Sequence, residues 1–212
     1  MSLPQYFKQH GYTTLSFGKV IHPNLPPHYD YPLSWTLPPV NEVKPPCPDN
    51  TMTCPYNASD LLRNVDLVSA KLAVDALTVV TKLDKPWFVA VGLQGPRLPW
   101  AYPIQSADRL PPPSQFPLPV HKQASTASTL EWFRPTEVDM YSDVRDCTHD
   151  RPMPDAQQQE VRRAYYAAIT NVDDQVGTLL STLDTLGVTN DTLVVLIADH
   201  AQNLGELNTW TT

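Results

Sequence analysis

Two long stretches of helical periodicity each run into a short apolar segment, and this repeated helix-then-strand order most narrows the folds open to the chain. Apolar residues fall at Leu61, Val65, Val68, Leu72, Ala76, Val79 and Leu83, in steps of three and four, which predicts an amphipathic helix with one buried face. Lys85-Pro86 ends it, and Trp87–Leu93 follows as a buried strand. Asp155 is placed to cap a second helix, with Gln158 three residues on and apolar positions from Val161 through Tyr165, Ala168, Val172, Val176, Leu179 and Leu183 to Leu186. Gly187 stops it, and residues 192–200, Thr-Leu-Val-Val-Leu-Ile-Ala-Asp-His, read as a strand buried on both faces. Near the start, Pro4–His10 reads as a helix with Gly11 as its stop, and Tyr12–Phe17 as a short strand. Strand, excursion, helix, strand is the order of a parallel α/β unit.

The excursions are proline-rich. Residues 23–56 and 94–154 hold most of the 23 prolines and are expected to be irregular, the first anchored by Trp35 and several tyrosines. Pro111-Pro-Pro113 fits a polyproline ligand as well as a covering loop, and a covering loop is the better match to a large domain. A formal charge of −7, pI near 5.2 and scattered basic residues exclude a nucleic-acid surface. No apolar run approaches the roughly 20 residues that span a bilayer.

Asn57-Ala-Ser59 and Asn190-Asp-Thr192 are N-glycosylation triplets, and Cys47 and Cys54 lie close enough in sequence for a small disulfide loop, with Cys147 left over. These features predict a secreted or lysosomal protein, while Met1-Ser-Leu-Pro-Gln-Tyr6 shows neither a basic leader nor an apolar stretch. The expectation that reconciles them is a chain that forms part of a longer polypeptide.

The chemistry is concentrated where the apolar run 192–198 stops on a carboxylate and an imidazole. Ligands of covered parallel sheets sit beyond the carboxyl ends of the strands, so Asp199 and His200 stand where an oxygen and a nitrogen donor could hold a metal ion or an anion. Asp199 as a cap of the next segment and His200 as a solvated loop residue is the alternative.

These elements together resemble the sulfatase family of the alkaline-phosphatase superfamily over nearly the whole length. The resemblance is carried by Leu3-Pro-Gln-Tyr-Phe-Lys-Gln-His-Gly-Tyr12, Gly18-Lys-Val-Ile-His-Pro23, Phe88-Val-Ala-Val-Gly92 and Tyr165-Tyr-Ala-Ala-Ile-Thr-Asn-Val-Asp-Asp-Gln-Val-Gly177, then by Asp199-His200 and Leu204-Gly-Glu206. It implies a three-layer α/β/α fold with a mixed, mainly parallel sheet, in which a calcium ion and a formylglycine hydrate cleave a sulfate ester. By position, Asp199 and His200 match metal-site residues of the family, and Lys19 and His22 match sulfate-contacting ones. A lysine and an oxygen-ligated cation would neutralise the charge that develops as the ester breaks, and an imidazole can donate or relay a proton. Read without the family, Lys19 and His22 are a solvated turn after a strand. A sulfated sugar or glycosaminoglycan is the implied substrate, and the remainder of the sulfatase domain an implied partner.

Several departures bear on that expectation. The family's Cys/Ser-x-Pro-x-Arg nucleophile segment does not occur, and Cys147-Thr-His-Asp-Arg151 has His149 in the proline position. The early Asp-Asp pair that completes the calcium shell is also missing. Relatives on this branch carry His-Lys-Pro-His after the second strand, whereas this chain has Gln94-Gly-Pro-Arg97; Arg97 can contact sulfate but cannot titrate near neutral pH. Ala201 replaces a usual glycine, and Thr212 falls where a substrate lysine is expected. Two readings follow: part of an active sulfatase, or an inactive homologue that binds sulfated glycans or a protein partner. A phosphodiesterase or phosphomutase of the same superfamily is a weaker third.

Overall fold

The computed structural model describes residues 1–22, 30–41, 45–120, 138, 140–144, 147 and 151–210; His149, Thr212 and parts of both proline-rich excursions lie outside the described residues. The chain forms two compact units, one built from residues 1–45, 59–95 and 171–194 and the other from 46–58, 96–170 and 195–212. The class is α/β, with parallel strand pairing in each unit.

The first unit opens with α1 (Leu3–Gln9), set by a capping box in which the Gln5 amide donates to Ser2 Oγ at 3.2 Å and the Ser2 amide to Gln5 Oε1 at 3.3 Å. β1 (Thr13–Gly18) pairs in parallel with β3 (Trp87–Gly92), Thr13 opposite Trp87 and Gly18 opposite Gly92. Leu15 and Phe17 point into a core with Ala73, Leu77 and Val80 of α2 (Val65–Val80) and Leu183. The opposite face of β1 is also covered: Thr14 Oγ1 donates to the Ser34 carbonyl at 2.8 Å, beside the fully buried Trp35. Trp35 thus anchors the first excursion as its aromatic content predicts. β3 is half-buried along its length rather than fully buried. The helix predicted from Leu61 begins at Val65, because Asp60–Arg63 form a turn closed by the Arg63–Asp60 ion pair at 2.7 Å.

In the second unit β2 (Thr53–Tyr56) pairs in parallel with β4 (Trp100–Pro103), which leads into the short α3 (Ile104–Asp108). Both strands lie inside the segments expected to be irregular. Their core is Trp100, Met52, Leu98, Tyr141, Met153 and Val161 with their neighbours, and Tyr165 packs edge-on against Trp100 at 5.4 Å between ring centres. Cys47 and Cys54 form a disulfide, with Cα atoms 5.9 Å apart, and Cys147 packs beside the core of this unit.

The long helix α4 (Asp155–Thr185) supplies residues to both cores. Asp155 is its first helical residue rather than its cap, and the Gln158 side chain donates to the Met153 carbonyl at 2.7 Å instead of closing a capping box. One prediction is corrected outright. Residues 192–198 form no strand: Leu193 is 89% exposed, Leu196 and Ile197 80% each, and beyond Thr192, whose amide closes the preceding turn on the Thr189 carbonyl, residues 193–198 make no backbone–backbone hydrogen bond to another described residue. A strand exists only by pairing, and no described strand lies beside this one, so its β-prone composition alone leaves it extended and solvated.

Candidate functional site

The best-ordered polar arrangement lies at the carboxyl ends of β1 and β3. Lys19 directly follows β1, and its amide donates to the Gly92 carbonyl at 2.8 Å, extending the parallel ladder by one bond. The two glycines there are required by space. Gly18 has φ +71°, and a Cβ on it would sit 2.2 Å from the Gly92 oxygen and 2.8 Å from Ser69 Oγ. A Cβ on Gly92 would lie 2.1 Å from the Lys19 carbonyl carbon. The Gly18 amide donates to the Val40 carbonyl at 2.7 Å, closing the other side of the turn. Lys19 is half-buried and His22, three residues on, is exposed.

The turn leaving β3 is held from α2. The buried Asp66, in the first turn of that helix, accepts from the Gln94 amide at 2.6 Å and the Gly95 amide at 3.0 Å. Sequence reading overlooks this residue, because an acid near a helix start is ordinary helix chemistry and nothing local says that it faces a strand end.

Arg97, Asp199 and His200 belong to the second unit, Lys19 and His22 to the first. Arg97 is exposed. Asp199 Oδ2 and His200 Nε2 stand 3.7 Å apart, on side chains 84% and 68% exposed, a loose approach beyond hydrogen-bond length. They follow the unpaired segment 192–198, not the end of a formed strand. No group of three or more His, Cys, Asp or Glu side chains able to hold a metal occurs among the described residues. One carboxylate suits calcium in kind, but calcium takes about six to eight oxygens, so these two side chains would be only part of its shell.

Beyond Asp199-His200 the chain is firmly held within the second unit. Arg162 Nη1, on a buried side chain of α4, donates to the Leu204 carbonyl at 2.5 Å and lies 3.4 Å from Glu206 Oε1. Glu206 also accepts from the Leu204 amide at 2.5 Å. Partial burial disfavours its charge, but the backbone donors and the Arg162 guanidinium outweigh that and hold its carboxyl below the ordinary range.

A groove of about 660 Å³ on α2 and α4 runs past Thr78, Asp173, Asp174 and Gly177. Its Thr178, Ser181 and Thr182 hydroxyls donate to carbonyls one turn back in their own helix, at 2.8 Å each, so their protons are spent on the backbone.

Asn57, just beyond β2, and Asn190, in a 3-10 turn at Thr189–Asp191, are both exposed.

Comparison with known proteins agrees with this architecture. The phosphonate monoester hydrolase of Agrobacterium radiobacter superposes with a TM-score of 0.65 at 19% identity, over 97% of this chain and 48% of that one, which shows a shared fold. Mouse and human iduronate 2-sulfatase are 29% and 30% identical over 99% of this chain. The chain spans only 41% and 42% of their lengths. A choline-sulfatase of Rhizobium meliloti is 43% identical over 49 residues, 23% of the chain and 10% of that protein. The Sulfatase family model matches residues 1–211, and the chain therefore belongs to the sulfatase family of hydrolases.

Proposed function

We propose that this chain is part of a sulfatase catalytic domain that, in the complete enzyme, hydrolyses sulfate esters of glycosaminoglycan-type sugars. The observation that carries this reading is the family match over residues 1–211 together with Lys19 emerging from the locked ends of two parallel strands. In this reading Lys19, His22 and Arg97 contact the sulfate, the lysine and arginine lowering the cost of its negative charge and the histidine serving as donor. Asp199 and His200 contribute one oxygen and one nitrogen to a divalent-metal shell, calcium by family resemblance, whose other ligands this pair does not provide. The ion would supply charge neutralisation at the ester oxygens. A lysosomal or secreted location is supported by the exposed Asn57 and Asn190 triplets and the Cys47–Cys54 disulfide, a bond characteristic of oxidising compartments. The test is hydrolysis of an aryl sulfate and of a sulfated disaccharide by a polypeptide of the relatives' length that contains this chain, with formylglycine sought by mass spectrometry. Loss of neither ester, with no formylglycine present, ends the reading.

A second reading is favoured by specific residues. By the family resemblance, Gln94 and Arg97 stand where histidines are expected and Ala201 where a glycine is. Such a chain would bind sulfated glycans without turnover. Its retention on immobilised heparin should be salt-sensitive and fall in Lys19→Ala or Arg97→Ala; unchanged retention of both variants counts against it.

A further inference from the structure

We propose that Asp66 is a positioning residue for the anion-contacting end of β1, acting through the turn that leaves β3. The inference rests on the reading that Lys19 contacts sulfate. A carboxylate taken out of water costs several kcal/mol unless strong donors replace the water, and the buried Asp66 meets the amides of Gln94 and Gly95 at 2.6 and 3.0 Å. A residue there for helix initiation would turn towards its own helix's amides. Asp66 reaches instead across to the exit of β3, at Gln94 and Gly95, 28 and 29 residues beyond it in sequence.

The coupling to Lys19 follows from how little space separates the parts. Gly92 lies two residues before Gln94; its carbonyl holds the Lys19 amide at 2.8 Å, and its Cα faces the Lys19 carbonyl too closely to admit a methyl group. Ser69, one helical turn after Asp66 and on the same face of α2, packs its Oγ against Gly18. The first turns of α2 thus touch the ends of both strands, one through a carboxylate on the β3 exit and one through a hydroxyl on the β1 exit. Releasing the Gln94–Gly95 turn frees Gly92 to shift, and with it the backbone that aims Lys19. Asparagine at 66 would present one oxygen and one NH2 group to two amide donors, keeping the shape and losing one hydrogen bond and the charge.

The experiment titrates inorganic sulfate into the 15N-labelled protein and follows the amide signals. Asp66→Asn should weaken sulfate affinity by roughly 10-fold, the scale seen when a supporting group behind a ligand is lost, and Asp66→Glu should recover part of it. Lys19→Ala/Asp66→Asn should bind no more weakly than Lys19→Ala, because the two residues act on one contact. Sulfate affinity unchanged in Asp66→Asn while Lys19→Ala loses it overturns the positioning role and leaves the Lys19 reading standing. Affinity unchanged in Lys19→Ala overturns the reading beneath both. A readout without substitution guards against a variant that does not fold: in the unaltered protein the Gln94 and Gly95 amides should shift with the Lys19 amide as sulfate is added. Movement of Lys19 alone overturns the coupling.

Discussion

The Lys19 amide donates to the Gly92 carbonyl at 2.8 Å, one residue past the last pair of the β1–β3 ladder, so a cation of the candidate site is tied by its backbone to the neighbouring strand. This bond exists because both partners sit at a crossing that only glycine permits. Gly92→Ala would drive a methyl group to 2.1 Å from the Lys19 carbonyl carbon, a clash with backbone that no rotamer relieves. Its expected cost is ~3 kcal/mol, at the upper end of overpacking. Urea unfolding, with the Lys19 and Gly18 amides followed by hydrogen exchange, measures it.

Gly177 gives the opposite sign. It lies inside α4, where an added Cβ meets nothing within 4 Å, and glycine there only adds freedom to the unfolded chain. Gly177→Ala should stabilise by about 0.5–1 kcal/mol. A thermal melt of the single variant decides it.

The Arg162–Glu206 latch predicts a pH dependence. Glu206 ionises more readily in the folded chain than its ordinary value of 4.5, so its share of stability is complete above that value and is lost as pH falls through the lower folded one. Because the Glu206 side chain is half exposed, that share is small, below about 1 kcal/mol. Glu206→Gln should therefore be slightly less stable than the parent at pH 7 and equal to it well below pH 4.5. Denaturation at both pH values, with a difference that persists in acid, would contradict the latch as described.

The Cys47–Cys54 disulfide closes a loop with a sequence separation of 7 that ends within β2. Constraining so short a loop in the unfolded chain is worth about 2.5 kcal/mol in the chain-entropy account. Cys47→Ser/Cys54→Ser should lower stability by that amount and loosen the β2–β4 pair first, seen as faster exchange of the Trp100 amide, which donates to the Met52 carbonyl at 2.8 Å.

What the sequence discloses follows from which interactions are local. Helical periodicity reports faces within one element, and both helices, Val65–Val80 and Asp155–Thr185, form inside or close to the predicted stretches, the first starting four residues later than its spacing predicts. Strand pairing is not local. Tyr12–Phe17 and residues 192–198 both read as strands, yet only the first has a partner among the described residues, and only the first is one, as β1. β2 and β4 are hidden for the complementary reason: Thr53–Tyr56 and Trp100–Pro103 each contain proline, which argues against a strand, but they are two-stranded edges where a missing donor is tolerated. Lys19 and Asp199-His200 are visible because they end apolar runs. Asp66 is not, since its partners lie 28 and 29 residues away.

Asp199 and His200 lead to the last prediction. Both side chains are mostly solvated and 3.7 Å apart, and no third metal-binding side chain groups with them among the described residues. One carboxylate and one imidazole offer calcium a small part of the oxygen shell it requires, which places affinity in the millimolar range or weaker. Calorimetric titration of this chain with calcium should show no tight site, and chelator should leave the melting temperature where it was. Asp199→Ala and His200→Ala should each change stability by less than about 0.5 kcal/mol, as exposed substitutions do. A micromolar calcium site abolished by Asp199→Ala would show instead that other oxygens of this same chain complete the shell.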